Sequence, residues 1–239
     1  MEDIRIPIKM KGMIFVDHIK EKKTLLELEN LSIGYNATLI SEINLKVYQG
    51  EIISIIGPSG IGKTTLLRTI AQLIKPLSGN VISNVPKRGG VGYIPQRLGL
   101  VRHMNVEYNV GLGAKAGTPL LPFINGELIS SERKERTNFA INTMRISDKR
   151  NEPVRRLSGG QQRRVATARA LAQKPQIILA DEFLSELDED NITIVLNAVN
   201  QYIGSNGAAM ILVEHNIERA RQLSTSMFKM SEGKLIPLV

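Results

Sequence analysis

The sequence contains no cysteine and no tryptophan, and aromatic residues make up only 4% of it. Without cysteine there is no disulfide scaffold, no thiolate metal site and no cysteine nucleophile, and the composition fits a reducing compartment. So few aromatics leave a platform for stacking single-stranded nucleic acid poorly supplied. Long hydrophobic runs are missing as well. Ile52–Ile56 and Ile177–Ala180 have the length of strands, far short of the roughly 20 residues that cross a bilayer. The acidic start Met1-Glu2-Asp3 and the short Ile14-Phe15-Val16 do not make a signal peptide. The expected location is therefore cytoplasmic, with any membrane attachment made through a partner.

What is present is ordinary globular material. The 239 residues are 42% hydrophobic and 23% charged, which excludes disorder over most of the chain. The length allows one large domain, or one domain with a subdomain. The net charge is +8. Much of it sits between Glu132 and Arg164, where ten Lys/Arg face four Asp/Glu. A solvated helical face beside an anion site accounts for this better than a nucleic-acid groove, so no specific nucleic-acid binding is expected.

Residues 1–23 show no clear period and read as an extension, with one edge strand at Met13–Val16. Leu26, Leu28, Leu31 and Ile33, then Ile43, Leu45 and Val47, give two half-buried strands. Ile52–Ile56 reads as a parallel strand buried on both faces, followed by a helix from Lys63 to about Leu73. Val91–Ile94, Ile177–Ala180 and Met210–Val213 are further strands. Between them, residues 98–156 read as helical pieces such as Ser130–Thr143, interrupted at Gly111, Gly113, Gly117, Pro119 and Pro122. A helix over Gly159–Gln173, another carrying Ile192, Val195, Leu196, Val199 and Ile203, a short one around Ala220 and a terminal hairpin complete an α/β pattern.

Three segments carry chemistry. Gly57-Pro58-Ser59-Gly60-Ile61-Gly62-Lys63-Thr64 matches the phosphate-loop pattern. Its glycines let backbone N–H groups turn toward phosphate oxygens, Lys63 reaches the β- and γ-phosphates, and the Thr64 hydroxyl suits Mg²⁺. Asp181 and Glu182 end a buried strand, at the sheet edge where parallel sheets bind ligands. Asp181 is placed to hold Mg²⁺ and Glu182 to orient or deprotonate the attacking water. In Leu157-Ser158-Gly159-Gly160-Gln161, Ser158 and Gln161 fit a capping box. Gly159 and Gly160 are a poor choice for a helix start that serves stability alone. They leave bare N–H groups, a second anion site.

With these segments in this order, the chain from Leu26 to Leu235 resembles the ATP-binding subunit of an ABC (ATP-binding cassette) transporter. The resemblance implies a phosphate-loop NTPase fold, with a mostly parallel central sheet and an N-terminal antiparallel β-subdomain. A helical subdomain, at about 98–160, would be inserted before the signature Leu157–Gln161, and residues 24–239 would form the ATPase domain. It implies that Tyr35 stacks on adenine and that Thr65 belongs to the phosphate loop. It implies that Gln96 touches Mg²⁺ and links to the membrane partner, that Ser185-Glu186-Leu187-Asp188 crosses a dimer interface, and that His215 contacts the γ-phosphate. The expected partners are ATP with Mg²⁺, permease subunits that hold the chain at the inner face of the membrane, and a second cassette, identical or not. Each ATP would lie between the phosphate loop of one cassette and Ser158, Gly159, Gly160 and Gln161 of the other. Asn109–Gly113, Gly117–Leu120 and Leu179–Glu182 resemble the ATPases of phosphonate importers, while Phe183, Arg97 and Glu186 depart from that subgroup. An exporter or lipoprotein-releasing ATPase is the alternative partner system, and a soluble ABC ATPase the alternative class.

Overall fold

In the computed structural model, which describes residues 5–10, 13–18, 22–118, 126–185 and 187–238, the strands fall into three sheets. β1 (Arg5–Met10) and β2 (Met13–His18) pair antiparallel as a hairpin, where the sequence gives reason to expect only one strand. β3 (Thr24–Gly34) and β4 (Thr38–Tyr48) are long antiparallel partners. β5 (Ile52–Ile56) leads into helix α1 (Lys63–Ile70). β6 (Ser78–Ser83) adds to the far edge of β3. It escapes sequence reading because Ser-Gly-Asn-Val-Ile-Ser carries no alternation strong enough to mark a strand.

β7 (Val91–Ile94) is followed by α2 (Val106–Gly117), α3 (Gly126–Thr143), two single 3-10 turns (Ser147–Lys149 and Val154–Arg156) and α4 (Gly159–Ala172). Then come β8 (Ile177–Asp181), α5 (Glu189–Asn206), β9 (Ala209–Val213), α6 (Ile217–Leu223) and the hairpin β10 (Ser226–Ser231) and β11 (Lys234–Leu238). The main sheet has the order β11-β10-β5-β9-β8-β7, parallel throughout except for the edge strand β11.

The buried strands sort their side chains by the two-residue period of a strand. From β8, Ile178 and Ala180 join a core with α2, α4 and α5, while Ile177 and Leu179 face the opposite core, formed with α1, β3 and β4. β9 divides in the same way, Met210 and Leu212 on one side and Ile211 and Val213 on the other. The sheet is thus sandwiched, which fixes its register and makes its strand ends a rigid platform.

α2 corrects one expectation. Gly111 and Gly113 do not break it. A Cβ at Gly113 would lie 1.8 Å from the Arg169 carbonyl oxygen, and one at Gly117 1.9 Å from that of Gln173. These two glycines let α2 approach the backbone of α4 and its end; Gly113 is a packing residue inside the helix and not a stop, while α2 does end at Gly117 as expected. Pro119, Leu120 and Pro122 lie outside the described residues.

Candidate functional site

Four parallel strands end at the same edge of the sheet, and each delivers a residue singled out in the sequence. β5 runs into Gly57–Thr64, β7 into Gln96, β8 into Asp181 and Glu182, and β9 into Glu214 and His215. Backbone bonds tie these ends together. Glu182 N donates to the Val213 carbonyl at 3.2 Å, and Glu214 N to that of Ile55 at 3.2 Å.

The loop before α1 turns back through Gly62, whose φ of 115° is a conformation that side chains rarely adopt. Lys63 is buried, and its ammonium donates to the carbonyls of Gly57 at 2.7 Å and Pro58 at 2.8 Å. Burial pushes its pKa down, while the carboxylates of Glu182 and Asp181 oppose that shift. The Thr64 hydroxyl donates to Asp181 Oδ1 at 3.1 Å. The Tyr93 hydroxyl donates to Asp181 Oδ2 at 3.3 Å. Asp181 is only 1% exposed, and burial raises its pKa against the effect of the Thr64 bond. Tyr93 was missed in the sequence. Its place in a strand three residues before Gln96 reads there as one more apolar core position.

Glu182 is gripped from both sides. Gln96 Nε2 donates to its Oε2 at 2.7 Å, and His215 Nε2 lies 2.5 Å from its Oε1. Its backbone sits at φ 48°, in the left-handed region, a sparsely populated conformation for such a residue. Ser185 holds that bend. Its N–H donates to the Glu182 carbonyl at 3.0 Å and its hydroxyl to the same oxygen at 2.7 Å.

A cavity of about 340 Å³ is lined by Tyr35, Leu39, Ser59, Gly60, Gly62, Lys63, Thr64, Thr65, Gln96 and Glu182. Tyr35, in the turn between β3 and β4, is 57% exposed at its rim. The expected adenine, phosphate and water-activating residues therefore meet at one opening. Ser158, Gly159, Gly160 and Gln161 do not line it. They form the start of α4, where Ser158 Oγ accepts from Gln161 N at 3.2 Å and Gln161 Oε1 accepts from Ser158 N at 3.0 Å. The capping box is real, yet a Cβ at Gly159 would meet nothing within 4 Å, so packing within the chain gives no reason for glycine there. In the segment Ser185–Asp188, Glu186 lies outside the described residues. Phe183 is fully buried in the core shared with α2, α4 and α5.

The oxygen-rich set of Thr64, Asp181 and Gln96 fits Mg²⁺, which takes few protein ligands and completes its shell with phosphate and water. The described residues hold no cluster of three or more His, Asp or Glu that could hold a metal ion. No helix among them is long and apolar enough to cross a membrane.

Comparison with known proteins follows the same lines. Residues 40–185 match the family model described as ABC transporter. The glutamine transport ATP-binding protein of Geobacillus stearothermophilus is 35% identical over 209 residues, covering 83% of this chain and 83% of that protein. The phosphonates import ATP-binding protein of Treponema denticola is 31% identical over 89% of this chain and 88% of its own length. A spermidine/putrescine import ATP-binding protein of Fusobacterium nucleatum is 34% identical, but this chain spans only 57% of it. Among solved structures, a dimeric ATP-binding cassette in a post-hydrolysis state bound to ADP and Pi superposes with a TM-score of 0.76 at 29% identity, over 88% of this chain and 96% of that one.

Proposed function

This chain belongs to the ABC transporter family of ATPases, and we propose that within it the protein is the ATP-hydrolysing subunit of a solute importer. The observation that carries the reading is the single opening onto which Tyr35, the phosphate loop, Gln96 and Glu182 converge. The names of its relatives, for polyamine import and phosphonates import beside glutamine transport, favour import over export.

Tyr35 offers its exposed ring to the adenine. Gly57, Ser59, Gly60, Ile61, Gly62 and Thr65 bring backbone N–H groups and the N-terminus of α1 to the phosphates, and Pro58, which has no N–H, shapes the turn of the loop. Lys63 offers its charge to the β- and γ-phosphates, which replace the loop carbonyls as its partners. Thr64, Asp181 and Gln96 would hold Mg²⁺, which supplies positive charge against the phosphate oxygens when bound. Glu182 orients a water and takes its proton as the water oxygen bonds to the γ-phosphorus and the bond to the ADP oxygen breaks. His215 and Gln96 hold the Glu182 carboxylate between them, and His215 would contact the γ-phosphate. Ser158, Gly159, Gly160 and Gln161 would serve the ATP of a second cassette, because they stand outside the opening of their own chain and the N–H groups of Gly159 and Gly160 lie outside the capping box. Permease subunits would hold the dimer at the membrane.

The finer reading, import of phosphonate-type anions, rests on Asn109–Gly113 and on the 31% identity to a phosphonates importer. The cargo passes through another subunit, so the membrane protein that co-purifies with this chain identifies it.

The direct test is turnover of radiolabelled ATP. We expect Glu182→Gln to bind ATP as the parent does while hydrolysis falls by about 10³-fold or more, the scale of losing a general base together with the water it orients. Hydrolysis by Glu182→Gln at the parent rate sinks the assignment.

A further inference from the structure

α4 does more than present its start. Arg163, in its second turn, is 5% exposed. Its guanidinium donates from Nη1 to the Gln96 carbonyl at 3.4 Å, and from Nη2 to the Ser185 carbonyl at 3.4 Å and the Ser185 hydroxyl at 3.1 Å. Ser185 in turn is the residue that holds the Glu182 bend. Two turns on, Arg169 donates to the carbonyls of Leu98 at 2.6 Å and Gly99 at 2.8 Å, so α4 grips the segment after β7 along its length.

We propose that Arg163 is a positioning residue for hydrolysis, which locks the start of α4 to the two loops that aim Glu182 and Gln96. The planar fork of arginine suits this task, because its two nitrogens reach two loops at once from a fixed plane. Gln96 and Glu182 are bonded to each other at 2.7 Å, so a shift in either loop disturbs the same carboxylate. The consequence is communication between sites. Whatever engages the N–H groups at Gly159, about one turn from Arg163 in α4, pulls on the water-orienting group of the same chain. A second cassette's ATP docking at α4 would thereby set the geometry at this chain's own Glu182.

This inference rests on the role assigned above to Glu182, and the experiment separates the two. Turnover and equilibrium ATP affinity are measured for Glu182→Gln, Arg163→Ala, Arg163→Lys, Ser185→Ala and the double variant Arg163→Ala/Ser185→Ala. We expect Arg163→Ala to lower kcat by about tenfold to a hundredfold, the cost of a misplacement on the order of 1 Å. Its ATP affinity should stay within about twofold of the parent, since its bond beside the opening is to the backbone carbonyl of Gln96 and leaves the Gln96 side chain free to act. Arg163→Lys, which keeps the charge but loses the fork, should fall between parent and alanine. The double variant should lose no more than the worse single variant, because both act through one contact. A kcat for Arg163→Ala within twofold of the parent overturns the proposal, and so does a weakening of ATP affinity that matches the loss of kcat, or additive losses with Ser185→Ala. Should Arg163→Ala not fold, Arg163→Lys carries the same criteria. If Glu182→Gln hydrolyses ATP normally, the failure lies in the assignment of Glu182. If it does not and Arg163→Ala does, the failure is that of the coupling alone.

Discussion

Two helix starts in this molecule are built in opposite ways. α1 begins after Gly62, at φ 115°, with no side-chain cap. Around it lie a glutamate at φ 48° and two charges, Lys63 and Asp181, whose ionised forms burial disfavours. α4 begins with ordinary dihedrals, a complete capping box, and open space in front of Gly159. The two share one negative feature. α2, α3, α5 and α6 each carry an acidic residue in the first turn, and α1 and α4 carry none. An acid there would stabilise the helix dipole and repel a phosphate. At α1 the unfavourable groups are already in place, held against one another by the sheet edge. At α4 a Cβ on Gly160 would come within 2.9 Å of the Asn191 side chain, but none of the described residues crowds Gly159, which leaves room there for a body outside the chain.

The largest effects that could break this contrast are on assembly. Placing an aspartate at Gly159 sets a carboxylate before N–H groups assigned to a second cassette's ATP. On a Glu182→Gln background, where ATP persists, we expect ATP-dependent dimers by light scattering, and their loss in Gly159→Asp. Like-charge repulsion in a partly dried site should weaken dimerisation by several kcal/mol, about a hundredfold or more in affinity. ATP binding by the monomer should survive. Mixing Gly159→Asp chains with Lys63→Ala chains allows one intact composite site per heterodimer, so some dimer should return. Dimerisation of Gly159→Asp at parent strength would reduce the segment to a capped helix start.

The strand ends were legible in the sequence because they combine two strong signals, a short apolar run and a chemically specific residue directly after it. Ile52–Ile56 before the phosphate loop, Ile177–Ala180 before Asp181-Glu182 and Met210–Val213 before His215 each occupy the expected strand. What remained hidden depends on distant partners. The role of Gly113 is set by Arg169, 56 positions later, and that of Arg163 by Gln96 and Ser185 in two separate loops. Read locally, Gly113 is a helix breaker and Arg163 one more basic residue in a charged stretch. Tyr93 hides for the same reason, because its hydroxyl partner lies on the neighbouring strand.

Gly113 and Gly159 sharpen the contrast at an intermediate scale, since alanine at the two sites should act on different observables. A Cβ at Gly113 lies 1.8 Å from a backbone oxygen that can yield only by moving α2 from α4. Gly113→Ala should therefore destabilise the fold by about 1–3 kcal/mol or somewhat more, as overpacking does. Gly159→Ala meets open space, and it should leave denaturant stability unchanged or raise it by a fraction of a kcal/mol through the lower entropy of the unfolded chain. Its cost should fall on ATP-dependent dimerisation instead. Urea unfolding of both variants decides the matter. A destabilised Gly159→Ala would mean that the glycine is needed by its own fold.

The smallest effect concerns the charges stored at the strand ends. Glu214, beside His215, is 5% exposed, and its Oε1 has no hydrogen-bond partner among the described residues. Burial raises its pKa, and the nearby Arg219 only partly opposes that rise. Because the folded pKa lies above the unfolded one, ionisation of Glu214 works against folding. The stability it contributes is fully present below the unfolded value and is lost as the pH rises through the folded one. Asp181 is shifted in the same direction, so some of this pH dependence belongs to the parent whatever stands at position 214. Glu214→Gln removes the ionisation and keeps the shape. Below pH 4 the two proteins should unfold at similar temperatures, because both side chains are neutral. As the pH rises toward 8, Glu214→Gln should become the more stable, by a margin smaller than the loss expected at Gly113. Thermal unfolding followed across that range gives the gap directly. A gap that does not widen with pH would show that Glu214 ionises at no cost to the fold, and that the unfavourable charges at the sheet edge stop at the residues that line the opening.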